Sequence, residues 1–284
     1  MGQNTKNTSE YWKGWFDNRA KNATSDYVLN RGTTVRCDEL ERAAERQFLK
    51  AVDPQPTDVV LDAGCGSGRN ISLLSGRVKE IAGIDFSEQM LVRASARVAD
   101  EKLANVKLVF GSVTKLEFLD NTFDKVICTS VLQYLDDDDC ATAFQEMFRV
   151  CKNGGTIVAH IKNGTSLYGL SKVLANKILR ISGKEIMPEY YRSRAWHEHT
   201  IERLGGVITD IDSFGIFTFV RLPQSIVPLI LRAELKLVKA KWLKRFGVNY
   251  KLTIRVSKHP ESANFKGLCN PSPKRAVGCE LDST

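Results

Sequence analysis

The chain has 284 residues, 43% hydrophobic and 26% charged, enough to bury the core of one large domain and stay soluble. No apolar run approaches the ~20 residues of a membrane span, and the opening MGQNTKNTSE has neither the apolar stretch of a secretory signal nor the myristoylation pattern, since Lys6 replaces the required Ser or Thr. The expectation is a cytoplasmic protein whose net charge of +8 hints at an anionic partner without choosing among nucleic acid, a membrane surface and an anionic substrate.

Residues 1–35 are polar apart from Tyr11, Trp12, Trp15 and Phe16, which are spaced for one face of a short helix. The stretch CDELERAAERQFLKAV is rich in helix formers, with Leu40, Ala44, Phe48 and Leu49 on one face, and Pro54 and Pro56 end it. Strands and helices then alternate. TDVVLDAG reads as a strand, 69–76 as a helix, EIAGIDF as a strand and SEQMLVRASARVADE as a helix. VKLVFGS and FDKVICTS are the next strands, and DDDCATAFQEMFRVC is a helix. Gly154 and Gly155 turn the chain into strand TIVAHIK. This alternation predicts βαβ units and a parallel sheet, and short continuous apolar strands predict cover on both faces.

After residue 162 the rhythm changes. SLYGLSKVLANKILRI is helical, Ser193 caps a helix RAWHEHTIERLGG, and VITDIDSFG and YKLTIRVSK are strand-like. The tail 259–284 has the composition of a disordered end. The domain plan is therefore a helical lid segment over 1–36, a main domain over 37–258 with lid or insert helices at 163–192 and 221–246, and a disordered tail.

The seven cysteines are scattered without zinc spacing, and several fall in apolar runs; packing as reduced thiols is expected. The acidic run 136–139 opens a helix, where carboxylates favour the dipole, so it reads as a cap and no metal is expected.

The strongest signal is VVLDAGCGSGRN, residues 59–70. An apolar strand ends in Asp62, and Gly64, Gly66 and Gly68 then alternate around Cys65. Glycine lets the backbone turn sharply and approach a ligand closely. The dinucleotide fingerprint would need a small residue where Arg69 stands, which argues against a nicotinamide dehydrogenase. One βα unit later, about 17 residues past Gly68, a second strand ends in Asp85, placed to accept from ribose hydroxyls, with Phe86 beside it to pack on an adenine.

In this order, LDAGCGSG, GIDFSEQML, FGSVTKLEF, FDKVICTSVLQYLDD and CKNGGTIVAH resemble the class I S-adenosylmethionine-dependent methyltransferases, in the small-molecule branch of the ubiquinone and menaquinone methyltransferases. The likeness covers roughly residues 40–162. It implies a Rossmann-like, doubly wound α/β fold: a mostly parallel seven-stranded sheet with an antiparallel last strand and a helical lid. It also implies S-adenosylmethionine as cofactor. Gly64, Cys65, Gly66 and Gly68 would border its methionine part and Asp62 would orient that loop. Asp85 would hold the ribose, with Phe86 and Met90 near the adenine. Ser112 and Val113 would follow the third strand, and Thr129 would lie near the sulfonium. Relatives often carry an acid at the position of Ser112 and a histidine where this chain reads VLQYLDD, so no catalytic histidine is carried over there.

Methyl transfer is an in-line displacement that needs alignment and a dry site, and a base only if the nucleophile must lose a proton. His160, at the C-terminal side of the fifth strand, is the candidate base; His197 and His199 read as surface residues. Residues 129–135 read TSVLQYL, without the NPPY-like segment of adenine or glutamine methyltransferases. Tyr11, Trp15, Tyr168, Tyr190 and Tyr191 are candidates to line an apolar acceptor pocket. Segment 221–246 is a basic amphipathic stretch suited to pack on the sheet, to lie on an anionic membrane surface or to hold phosphates. The expected acceptor is a small or lipid-linked molecule methylated at oxygen. The alternative is RNA held by 221–246, and a third reading is cofactor binding without catalysis.

Overall fold

The structure, a computed structural model, describes residues 5–23, 38–181, 189–214 and 247–258. Helix α1 (Thr5–Asn22) and helix α2 (Asp38–Val52) precede the sheet. There follow β1 (Val59–Ala63), α3 (Arg69–Ser75), β2 (Glu80–Asp85), α4 (Glu88–Asp100), β3 (Val106–Phe110) and β4 (Phe123–Thr129). A short 3-10 turn at Leu132–Tyr134 leads to α5 (Asp137–Val150) and β5 (Cys151–Lys162). Helices α6 (Leu167–Ile181) and α7 (Arg194–Arg203) and strands β6 (Gly206–Phe214) and β7 (Asn249–Val256) complete it.

One sheet holds all seven strands in the order β3-β2-β1-β4-β5-β7-β6. Strands β1 to β5 are parallel, and β7 runs antiparallel between β5 and β6. The order reverses between β1 and β4, which opens a crevice at the C-terminal ends of those strands, where ligands bind in such sheets.

Alternate residues of each strand feed two cores. Leu61, Val126 and Ile157 meet Phe144 and Met147 of α5 and Ile201 of α7 on one face. Val60, Ile127 and Val158 meet Phe48 and Val52 of α2 and Ile71 and Leu74 of α3 on the other. Side-chain caps start the helices where the sequence places them. Ser87 accepts from the Met90 N–H at 3.2 Å, Asp136 from Asp139 N–H at 2.9 Å and Ser193 from Trp196 N–H at 3.2 Å. The acidic run therefore caps α5, as expected.

Three local expectations are corrected. Strand β5 begins at Cys151, and the Gly154–Gly155 pair is taken up inside it beside a register shift against β4. On α2, Ala43 rather than Ala44 is the buried alanine. His197 is no surface residue: it is 2% exposed, with its ring against Trp196 and Phe144, and burial pushes its pKa down to about 3. His199 is exposed.

Cys65, Cys128, Cys140 and Cys151 are buried free thiols, whereas Cys37, Cys269 and Cys279 lie outside the described residues. So do segment 221–246 and the tail 259–284. Among the described residues no helix is long and apolar enough to cross a membrane.

Candidate active site

The C-terminal end of β1 delivers Asp62 into the crevice, fully buried. The Asn70 amide of α3 donates to Asp62 Oδ1 at 3.3 Å and to Thr129 Oγ1 at 2.9 Å, so one side chain ties the ends of β1 and β4 together. Asp62 Oδ2 is buried without a hydrogen-bond partner. Burial raises this carboxyl to about 7; the Asn70 hydrogen bond opposes the rise and the Asp85 charge adds to it.

The glycine loop is pinned to β2. Gly64 and Cys65 N–H both donate to Ile84 O, at 2.8 and 3.0 Å. Gly64 has φ 82, and a Cβ there would lie 2.2 Å from Val131 Cγ2, so glycine is required on two counts. Gly66 also has positive φ, but its Cα faces open space, and its N–H donates to Asp85 Oδ2 at 2.8 Å. Asp85 Oδ1 accepts from Ser87 N–H at 2.9 Å. Asp85 thus braces the loop from β2. Its pKa is raised by burial, against the pull of the Ser87 and Gly66 hydrogen bonds. Gly68 starts α3 in the left-handed conformation. Cys65 packs its thiol into the core, where burial raises its pKa and keeps it a thiol.

Helix α1 roofs this crevice. Asp17 accepts from Ser87 Oγ at 2.6 Å and from Gln89 N–H at 3.3 Å. Arg93 Nε donates to Ala20 O and its Nη2 to Ala23 O, both at 2.6 Å. Phe16 stands edge-on to Phe86 after β2, with ring centroids 6.1 Å apart, and to Tyr134 after β4, at 5.2 Å. Trp12 is buried against Tyr134 at 4.3 Å. Met90 packs under Ala20. The aromatic helix read in the sequence therefore bridges the loops that follow β2 and β4.

Thr129 ends β4 and pairs in register with His160 on β5, and Ser130 follows with φ 62, an uncommon left-handed conformation for a non-glycine residue. Ser112 is exposed and shares a hydrogen bond with Thr114, and the Val113 side chain belongs to the core beside Leu116. Of the expected residues, the structure brings Asp62, Gly64, Gly66, Gly68, Asp85, Phe86 and Thr129 to one crevice; it directs the side chains of Cys65 and Val113 into the core and that of Met90 under α1. Among the described residues no group of three or more His, Cys, Asp or Glu side chains is arranged to hold a metal.

Residues 60–155 match the family described as "Methyltransferase domain". A demethylmenaquinone methyltransferase of Geobacillus sp. is 30% identical over 164 residues, 56% of this chain and 69% of that protein. A second, from Shouchella clausii, is 40% identical over 116 residues, 40% of this chain and 48% of that one. The chain belongs to the class I S-adenosylmethionine-dependent methyltransferases, of the menaquinone and ubiquinone type. The solved structure of magnesium protoporphyrin IX methyltransferase from Synechocystis shares the fold, with a TM-score of 0.58 at 17% identity, over 88% of this chain and all of that one.

This methyltransferase takes S-adenosylmethionine as its methyl donor. The crevice fits that molecule on two observations. Asp62 Oδ2 is a buried acceptor lacking a donor, and the open side of Gly66 leaves room beside the loop for a ligand. Sequence reasoning missed Asn70, Asp17 and Ser87. Asn70 stands in the first turn after the glycine loop, a position that could have drawn notice. Asp17 gave no signal, since only the docking of α1 gives it a partner.

Proposed function

We propose that this methyltransferase acts on a small, apolar or lipid-linked hydroxyaromatic acceptor, at an oxygen. The observation that carries this reading is the aromatic roof of Trp12, Phe16 and Tyr134 over the crevice, which excludes water and suits a planar apolar guest. The likeness to demethylmenaquinone methyltransferases supports an acceptor of that chemical kind, and a cytoplasmic location accords with it.

Bound S-adenosylmethionine supplies an electrophilic methyl carbon. In this reading Asp62 Oδ2 accepts from the donor's amino group, and the loop of Gly64, Cys65, Gly66 and Gly68 borders its methionine part. Asp85 uses its remaining acceptor capacity for the ribose, while Phe86 and Met90 flank the adenine below α1. Ser112 and the Val113 backbone close the adenine end. Thr129 faces the reacting centre. His160, in register with Thr129, takes the proton that the acceptor hydroxyl loses. The lid segments 1–36 and 163–192 select the acceptor. No observation among the described residues favours RNA, because segment 221–246 lies outside them.

The test is transfer of label from methyl-labelled S-adenosylmethionine in an extract of the source cells, followed by separation into organic, RNA, protein and small-solute fractions. Label in the organic or small-solute fraction that survives base and is released as methyl iodide by hydriodic acid, as from an aryl methyl ether, supports the reading. Label in RNase-sensitive material or in protein overturns it.

A further inference from the structure

Beyond the roof, at the end of β5, lies a charged group that the proposed donor site does not use. Lys162 is the last residue of β5, two positions past His160 and therefore on the same face of the sheet, roughly 7 Å further toward the C-terminal edge. Its side chain is partly buried. Burial pushes its pKa down, the Glu189 carboxylate pulls it back up and the Lys172 ammonium of α6 adds to the downward push. Glu189 is already engaged: the Tyr191 hydroxyl donates to Glu189 Oε2 at 2.7 Å. Tyr168 packs against Tyr191, with centroids 6.4 Å apart, and Lys172 stands over the Tyr168 ring at 5.5 Å.

This group is held over the crevice. Tyr190 N–H donates to Gln133 O at 2.7 Å, which fastens 189–191 to the turn that follows β4 and carries Tyr134. Asn163 bridges to Arg192, and Arg192 donates to Leu132 O at 3.0 Å and Leu135 O at 2.6 Å. The charge balance is uneven. Among the described residues, the two lysines that repel each other face one carboxylate, which also serves a tyrosine hydroxyl. An anionic oxygen between the ammonium groups would relieve their repulsion and restore the solvation that Lys162 loses on burial.

Resting on the function proposed above, we propose that Lys162, brought beside the Glu189–Tyr191 pair by the Asn163–Arg192 bridge and joined by Lys172, is the acceptor-binding subsite of this enzyme and takes an oxyanion, the phenolate or carboxylate of an aromatic acceptor. The two tyrosine rings supply flat apolar walls beside the charge. The subsite selects acceptors that carry an ionisable oxygen, and it orients them against the Thr129 and His160 end of the crevice. A neutral acceptor without such an oxygen would leave the lysine pair uncompensated, which gives the site discrimination as well as affinity.

The test uses the full chain saturated with S-adenosylhomocysteine and the probe 4-nitrocatechol, whose phenolate is read by absorbance. The expected result is that the bound probe ionises at least about one pH unit below the free probe, as an opposite charge within contact range dictates. Lys162→Met abolishes that displacement, Lys162→Arg keeps it, and the affinity for S-adenosylhomocysteine is the same in all three proteins, which shows that the variants are folded. A displacement that persists in Lys162→Met, or a native enzyme that does not bind the probe, overturns the proposal. Transfer of label separates the two proposals: a displacement dependent on Lys162 with label appearing only in RNA or protein would overturn the acceptor reading and leave an oxyanion site standing. Label in the organic fraction with no Lys162-dependent displacement would overturn only the subsite.

Discussion

Asp62 and Asn70 meet through one carboxylate oxygen, at 3.3 Å, and the second oxygen of Asp62 is left buried without a partner. A carboxyl raised to about 7 by burial is half protonated near neutrality, whereas a donor amino group needs it ionised. Affinity for S-adenosylhomocysteine is therefore expected to fall as pH drops below about 7, approaching tenfold per unit. Asp62→Asn should bind about 10- to 100-fold more weakly and lose this pH dependence. Calorimetry from pH 6 to 8.5 reads both; an unaltered profile in the variant would contradict the role of Asp62.

The same residue has a predictable effect on the unliganded fold. Its folded pKa lies above the ordinary 3.8, so the folded state holds the proton more tightly and stability declines as pH rises from about 4 to about 7. Asp62→Asn removes the buried charge and should raise the stability of the unliganded protein at pH 8 by ~2 kcal/mol. Thermal melts without ligand check this: the variant should melt higher at pH 8, and an equal or lower melting temperature would contradict the argument.

His197 titrates in the opposite sense. Burial lowers it to about 3, so the unfolded chain takes up its proton first and stability is lost as pH falls from about 6.5 toward 3. His197→Phe should keep the ring between Trp196 and Phe144 and flatten that part of the stability curve. The comparison is of urea midpoints at pH 7 and pH 5, and a midpoint difference as large in His197→Phe as in the native chain would count against it.

Gly64 and Gly76 make a matched pair. An alanine at 64 meets Val131 and an unfavourable φ, whereas Gly76 has φ -73 and open space. Gly64→Ala should lower stability by ~2 kcal/mol or more and weaken ligand binding, and Gly76→Ala should change neither by more than about 0.5 kcal/mol. Melting curves of the two variants decide it, since equal behaviour would mean the loop is not held as described.

Much of this was legible in the sequence. The strands of the sheet and the helices between them follow from apolar runs broken by polar, helix-forming stretches, and Asp62 and Asp85 are marked by ending strands beside a glycine loop. Other features depend on distant docking. Nothing local marks His197 as buried; its helix is mostly charged and polar, and the packing of α5 covers that face. The glycine pair at 154 and 155 reads as a turn because its irregularity is resolved only by pairing with β4. Asp17 acquires its partner Ser87 70 residues away, a spacing that carries no motif.

Helix α1 is held to the crevice by Asp17 and Arg93 and by the rings of Trp12 and Phe16. Asp17→Ala removes its bonds to Ser87 and Gln89. Faster proteolysis within residues 5–22 is expected, with protection restored by S-adenosylhomocysteine; cleavage as slow as in the native chain would show that the aromatic contacts alone hold the roof.

The most direct measurement is titration of the full chain with S-adenosylhomocysteine, native and Asp85→Ala. Asp85 joins the glycine loop to the end of β2 through Gly66 and Ser87. If the donor is held in this crevice, the native chain binds one equivalent, and Asp85→Ala loses about 10- to 100-fold in affinity while its circular dichroism is unchanged. Equal affinity in the two proteins would place the donor elsewhere and contradict the account.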